Sequence, residues 1–195
     1  MLFGLEYNQS MSGEKNRYLE GGAAEPAAHL LEHRLPWLFL GLLGGVAASV
    51  VVSKFEYLLA SDLRLAFFIP IIVYMSDAVG TQAETIYVRN VAIRKIKFAK
   101  YLLKETAVGF GLGIIFGFII GAFASYWLKS FEVGLTVGAT MFINLSLAPI
   151  LAVTIPALIH NEHSDPALAA GPVATIIQDL ISLLIYFLVA IWIIF

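Results

Sequence analysis

The stretch "IIVYMSDAVGTQAETIYVRN", residues 71–90, decides the fold. It reads as the middle and end of a membrane-spanning helix. Yet it holds two carboxylates, Asp77 and Glu84, before it closes on Arg89. Working outward, the whole chain is apolar. Of its 195 residues 59% are hydrophobic and 13% charged, and the mean hydropathy is +0.85. Soluble domains are about half apolar and a quarter charged, so the composition places this chain in a bilayer.

A spanning helix needs about 20 apolar residues. Five segments meet that length: about 36–58, 65–89, 105–128, 133–159 and 167–195. The reading is an all-α membrane protein of five transmembrane helices. Pro36 is expected to open the first span and Trp37 to anchor it at the interface. Tyr126 and Trp127 close the third. Asp165 is the expected N-cap of the fifth, with Pro166 at its first position. Residues 1–35 read as a cytoplasmic N-terminal tail, in which "AAHLLEHR" forms a short amphipathic helix. Residues 36–195 form the five-helix domain. The opening "MLFGLEYNQS" lacks a basic leader and a long apolar run, so no secretory signal is expected.

Lys and Arg set the orientation. The link between spans two and three carries Arg89, Arg94, Lys95, Lys97, Lys100 and Lys104, and the tail adds Lys15, Arg17 and Arg34. The other side has only Lys54, Arg64 and Lys129. This predicts a cytoplasmic N-terminus and a C-terminus outside. Span three carries Gly109, Gly113, Gly117 and Gly121 on one face, where a neighbouring backbone can come close. Gly41 and Gly45 repeat the spacing in span one. Both sets read as packing.

The chain lacks cysteine, which excludes a disulfide framework and thiolate metal sites. Nucleotide-loop, zinc-protease and serine-elbow motifs are also missing, and no nucleophile–base pair lies within the spans. Neither an enzyme nor a nucleic-acid partner is expected. What stands out is Asp77, Glu84 and Asp179, all inside spans. An ionised carboxylate at mid-bilayer costs about 2.5–3.5 kcal/mol on the insertion scale and is functional by default. Asp77 and Asp179 each lie about twelve residues, roughly 18 Å, along their helices, near the midplane where transport sites tend to sit.

Asp77, Gly80, Thr81 and Glu84 share one helix face. In span five Thr175, Asp179 and Ser182 share another, with Gln178 beside it. Span four adds Thr136, Thr140 and Asn144. These stripes offer oxygen ligands only, with no basic partner deeper than Arg89. Such ligands suit a hard ion, and Mg²⁺ is usually held by one or two carboxylates with waters retained. Asp179, Asp77, Thr175, Glu84, Thr81 and Asn144 are therefore the candidate metal residues. A structural reading stands beside it: a buried protonated Asp, or Asn144, Thr140 or Thr175, serves as interhelical glue. His160, Glu162 and His163 read as a solvated loop rather than a metal site.

Three segments, "RLPWLFLGLLGGVAASVVVSKFE", "FFIPIIVYMSDAVGTQAETIYVRN" and "DPALAAGPVATIIQDLISLLIYF", resemble the membrane domain of the MgtE family of Mg²⁺ channels and transporters. The resemblance covers roughly residues 34–195. It implies a homodimer whose cation pathway is lined by the second and fifth helices of both copies. Asp179 would be the central Mg²⁺ ligand, helped by the backbone carbonyl at Thr175, with Gly80, Thr81 and Gln82 beside the path. The sequence departs from the family in two places. Ser76-Asp77-Ala78 replaces a Gly-Gly-Asn pattern, which adds an acid to the pathway. Only about 35 residues precede the first helix, so the family's cytoplasmic regulation would operate here only if a separate regulatory protein supplied it. The alternatives are a proton- or Na⁺-coupled transporter of another solute, or a non-transporting membrane subunit.

Overall fold

A computed structural model describes residues 26–93, 96–159 and 166–194. Residues 1–25 of the N-terminal tail, Arg94, Lys95, the His160–His163 loop and Asp165 lie outside the described residues. Among the described residues the chain is helical throughout. The elements are α1 (Ala27–Lys54), α2 (Glu56–Ser61), a 3₁₀ segment (Leu63–Phe68), α3 (Ile69–Ile93), α4 (Phe98–Leu128), α5 (Phe131–Ile159) and α6 (Pro166–Ile194). Five of the helices among the described residues are long and apolar enough to cross a membrane. With no water in the hydrocarbon, each helix must satisfy its own backbone groups, which is why long helices dominate.

Several boundaries differ from the sequence reading: the first span ends at Lys54 rather than 58, and the second enters through a 3₁₀ segment before its α-helix starts at Ile69. The amphipathic segment and the first span form one helix, with Pro36 inside it. Proline removes one N–H but does not end a membrane helix whose remaining groups have no alternative partner. The third span begins at Phe98, not 105. Lys97, Lys100 and Lys104 kept its first two turns below an apolar threshold, although lysine stems can lie along apolar surface.

The chain divides into two compact units, residues 1–39 and 40–195. In the first, the described residues are the opening turns of α1. The second holds the rest, built around α5, which packs on α3, α4 and α6. Its core includes Val133, Val137, Met141 and Leu145 of α5, with Tyr186 and Phe187 of α6.

The glycine face of α4 lies directly on the α5 backbone. A Cβ built at Gly109, Gly113, Gly117 or Gly121 would stand 2.5, 2.7, 2.7 or 2.9 Å from a carbonyl oxygen of Leu145, Phe142, Gly138 or Gly134. No side chain fits there, so glycine is required by close approach rather than by φ. Helix α1 differs from its expectation. A Cβ at Gly41 or Gly45 would meet nothing within 4 Å, whereas one at Gly44 would meet the Ile176 side chain. The contact face of α1 is thus turned by one residue, about 100°.

At the end away from the basic link, Asp62 caps the 3₁₀ segment. Its Oδ1 accepts from the Arg64 backbone N–H at 3.0 Å and from Arg64 Nε at 2.8 Å, and its Oδ2 accepts from Nη2 at 2.7 Å. Hydrogen bonding to the Arg64 guanidinium holds the Asp62 carboxyl below the usual carboxylate range, against an opposing desolvation effect. Tyr186 donates its hydroxyl to Leu65 O at 2.7 Å, tying α6 to the same segment. Between α4 and α5, Lys129 adopts a left-handed conformation (φ 52°, ψ 35°). Its ammonium sits 4.2 Å from the centroid of the Tyr126 ring.

Candidate functional site

Asp77 of α3 and Thr175 and Asp179 of α6 line one groove of about 440 Å³. Ser49 of α1 and Val73 and Leu183 complete much of the wall, and among the described residues no Lys, Arg or His lines it. Helical spacing produces the convergence. Thr175 and Asp179 are four residues apart, so they stack on one face of α6. Thr175 Oγ1 donates to Asp77 Oδ1 at 3.3 Å across the helix pair. Asp179 Oδ1 is buried and makes no hydrogen bond among the described residues.

The residues just before the two acids join the helices. Gln178 Nε2 donates to the Ser76 carbonyl. Ser182 Oγ donates to Ser76 Oγ at 2.8 Å. A Cβ on Gly80 would run into the Gln178 amide, so Gly80 is the recess that receives it. Behind this seam Asn144 Nδ2 of α5 donates to Ser182 O at 3.3 Å.

The remaining candidates lie elsewhere. Glu84 is half-buried on α3 and Thr81 is exposed; neither lines the groove. Asn144 is buried in the helix contact, not in the groove. Thr136 bonds back to Glu132 O at 2.8 Å, and Thr140 Oγ1 and Asn144 Oδ1 have no partner. The groove therefore gathers Asp77, Thr175 and Asp179, and leaves Glu84, Thr81 and Asn144 outside it.

Sequence reasoning missed the seam. It marked Gln178 as lying beside a polar face, but nothing paired it with Ser76. The available signal was position: each directly precedes a carboxylate, about 100° around its helix, and so flanks the same interface. It also passed over Glu105, which is 8% exposed. With α4 beginning at Phe98, this acid lies well inside the helix rather than at its mouth.

Two carboxylates and a hydroxyl, all oxygen, suit a hard cation that keeps part of its water. Among the described residues no group of three or more His, Cys, Asp or Glu is close enough to cage a bare metal ion.

Comparison with known proteins points the same way. A family model described as MgtE, divalent cation transporter, matches residues 69–189. The magnesium transporter MgtE of Bacillus subtilis is 31% identical over 160 residues, covering 80% of this chain and 36% of that protein. Its namesake in Enterococcus faecalis is 32% identical over 160 residues, covering 80% and 35%. That of Thermus thermophilus is 29% identical over 160 residues, again covering 80% and 35%. The chain spans about a third of the length of the curated relatives it matches.

Proposed function

This chain belongs to the MgtE family of divalent cation transporters, and from that premise we propose that it moves Mg²⁺ across the membrane along the Asp77–Asp179 groove. The observation that carries the reading is two carboxylates of different helices facing one groove that, among the described residues, no basic side chain lines. Fixed negative charge without a counterion calls for a cation.

Asp179 binds the partly hydrated ion. Its carboxylate lines the groove, and water held by the ion can bridge to it. Asp77 raises cation occupancy, and Thr175 steadies its carboxylate. Glu84, two turns further along α3, draws the ion toward the inner side. Thr81 and Asn144 take lesser parts: Thr81 faces out from the single chain, and Asn144 supports α6 from behind. The working unit is a homodimer in which a second copy supplies the same groups. The basic link between α3 and α4 faces the cytoplasm, so the N-terminus is inside and the C-terminus outside. Inward movement of a divalent ion gains about 4.6 kcal/mol per 100 mV, twice the value for one charge.

The test is Mg²⁺ flux into liposomes holding the full chain. Asp179→Asn and Asp179→Ala should each reduce flux at least tenfold. Undiminished flux in both removes Asp179 from the pathway. A pH gradient in the same vesicles separates Mg²⁺ transport from proton-coupled movement of another solute.

A further inference from the structure

We infer that the hydrogen-bonded seam of Ser76, Gln178 and Ser182 sets which ion passes, by holding the Asp77 and Asp179 carboxylates at one spacing. The inference rests on the groove being the ion's path and assigns its selectivity to positioning residues outside it.

The geometry is direct. Ser76 and Gln178 are each one peptide bond from a groove acid. They are bonded to each other through the Gln178 amide and the Ser76 carbonyl. The Ser182 hydroxyl adds a second link to Ser76. The register of α3 against α6 is thereby fixed beside the two carboxylates. All three residues are 1–2% exposed, so water does not compete for their bonds. Asn144 of α5 extends the seam to a third helix through Ser182 O. Gly80 provides the space without which the Gln178 amide could not reach Ser76.

The carboxylates depend on this support to different degrees. Asp77 has the Thr175 hydroxyl as a further hold. Asp179 Oδ1 has no hydrogen bond among the described residues, so the register of the two helices carries more of its positioning than it does for Asp77. A buried polar seam is a weak source of stability in a membrane, because the alternative arrangements also find partners. Its value lies in defining one arrangement.

Ion chemistry connects that arrangement to selectivity. Mg²⁺ keeps near-octahedral geometry and gives up water reluctantly, whereas Ca²⁺ accepts 6–8 oxygens at variable angles and longer distances. A carboxylate pair at fixed spacing favours the ion of fixed geometry. A pair free to shift accommodates Ca²⁺.

The experiment compares Mg²⁺ and Ca²⁺ flux in liposomes for the full chain and four variants. Gln178→Leu removes the amide, Ser182→Ala removes the hydroxyl link, and Gly80→Ala displaces the amide without altering a polar group. Each should raise the Ca²⁺:Mg²⁺ flux ratio by about three- to tenfold, the range one hydrogen bond of ordinary net strength supports. The double variant Ser76→Ala/Ser182→Ala should shift the ratio no further than Ser182→Ala, because the two hydroxyls act as one pair. An unchanged ratio, or equal loss of both fluxes, overturns the inference. Should Gln178→Leu fail to fold, Ser182→Ala and Gly80→Ala decide the matter. Full Mg²⁺ flux in Asp179→Asn overturns instead the reading of the groove on which the inference rests.

Discussion

Gln178, the residue before Asp179, donates its side-chain amide to the carbonyl of Ser76, the residue before Asp77. The two acids are thus neighbours through their neighbours. The groove has a built frame, and each part of that frame and of the surrounding bundle yields a measurable expectation.

Asp77 and Asp179 should not be equivalent. Asp77 is tied to Thr175, while Asp179 has an unbonded buried oxygen. Asp77→Asn is expected to lower Mg²⁺ flux several-fold, chiefly at low Mg²⁺ concentration. Asp179→Asn should lower it at all concentrations. Concentration-dependent flux in liposomes separates the two, and identical profiles would contradict the assigned roles.

Gly117 and Gly111 stand on opposite sides of α4 in their demands. A Cβ on Gly117 meets Gly138 O at 2.7 Å, and one on Gly111 meets nothing within 4 Å. Gly117→Ala should destabilise the protein by about 1–3 kcal/mol through overpacking. Gly111→Ala should be neutral or stabilising by up to about 1 kcal/mol, from helix propensity. Thermal denaturation in detergent gives the order, and a reversed order refutes the backbone contact.

Lys129 is the only non-glycine residue with positive φ among the described residues. Left-handed backbone costs a side-chain-bearing residue roughly 1–2 kcal/mol. Lys129→Gly relieves that strain and gives up the Tyr126 contact, itself worth about 0.5–1 kcal/mol when exposed. The expected result is a small rise in melting temperature. Lys129→Val should lower it, since a β-branched residue tolerates this conformation poorly.

Asp62 carries the pH dependence that can be assigned outside the spans. Its pKa is lowered by Arg64. A lowered carboxylate contributes stability above its unfolded-state pKa, and loses it as pH falls through the folded value. Asp62→Ala should therefore melt below the parent at neutral pH. The two curves should converge as the medium is acidified below the ordinary Asp range. A gap that stays constant with pH would leave capping, not charge, as the whole effect.

The helices and the acids were legible for different reasons. Spans show in sequence because a bilayer demands long apolar runs, and Asp77 and Asp179 show because charge is rare within them. The groove partner Thr175 was found from its four-residue spacing to Asp179. The Ser76–Gln178 bond was not, because periodicity describes one helix at a time and says nothing about the angle at which two helices meet. The same blindness explains Gly44. The Gly41–Gly45 spacing marked a face, but the contact lay one residue away, against Ile176. Thr81 and Glu84 share a face with Asp77 by register, yet α3 leaves the groove before it reaches them. Glu105 was obscured by the lysines just before it, which moved the apparent helix start toward it.

The glycine contacts of α4 with α5 have a mechanical consequence. Two helices joined backbone to backbone have few rotamers to rearrange between them, so they behave as a single stave. The pair therefore gives α3 and α6, which both pack on α5, a backing that resists rearrangement.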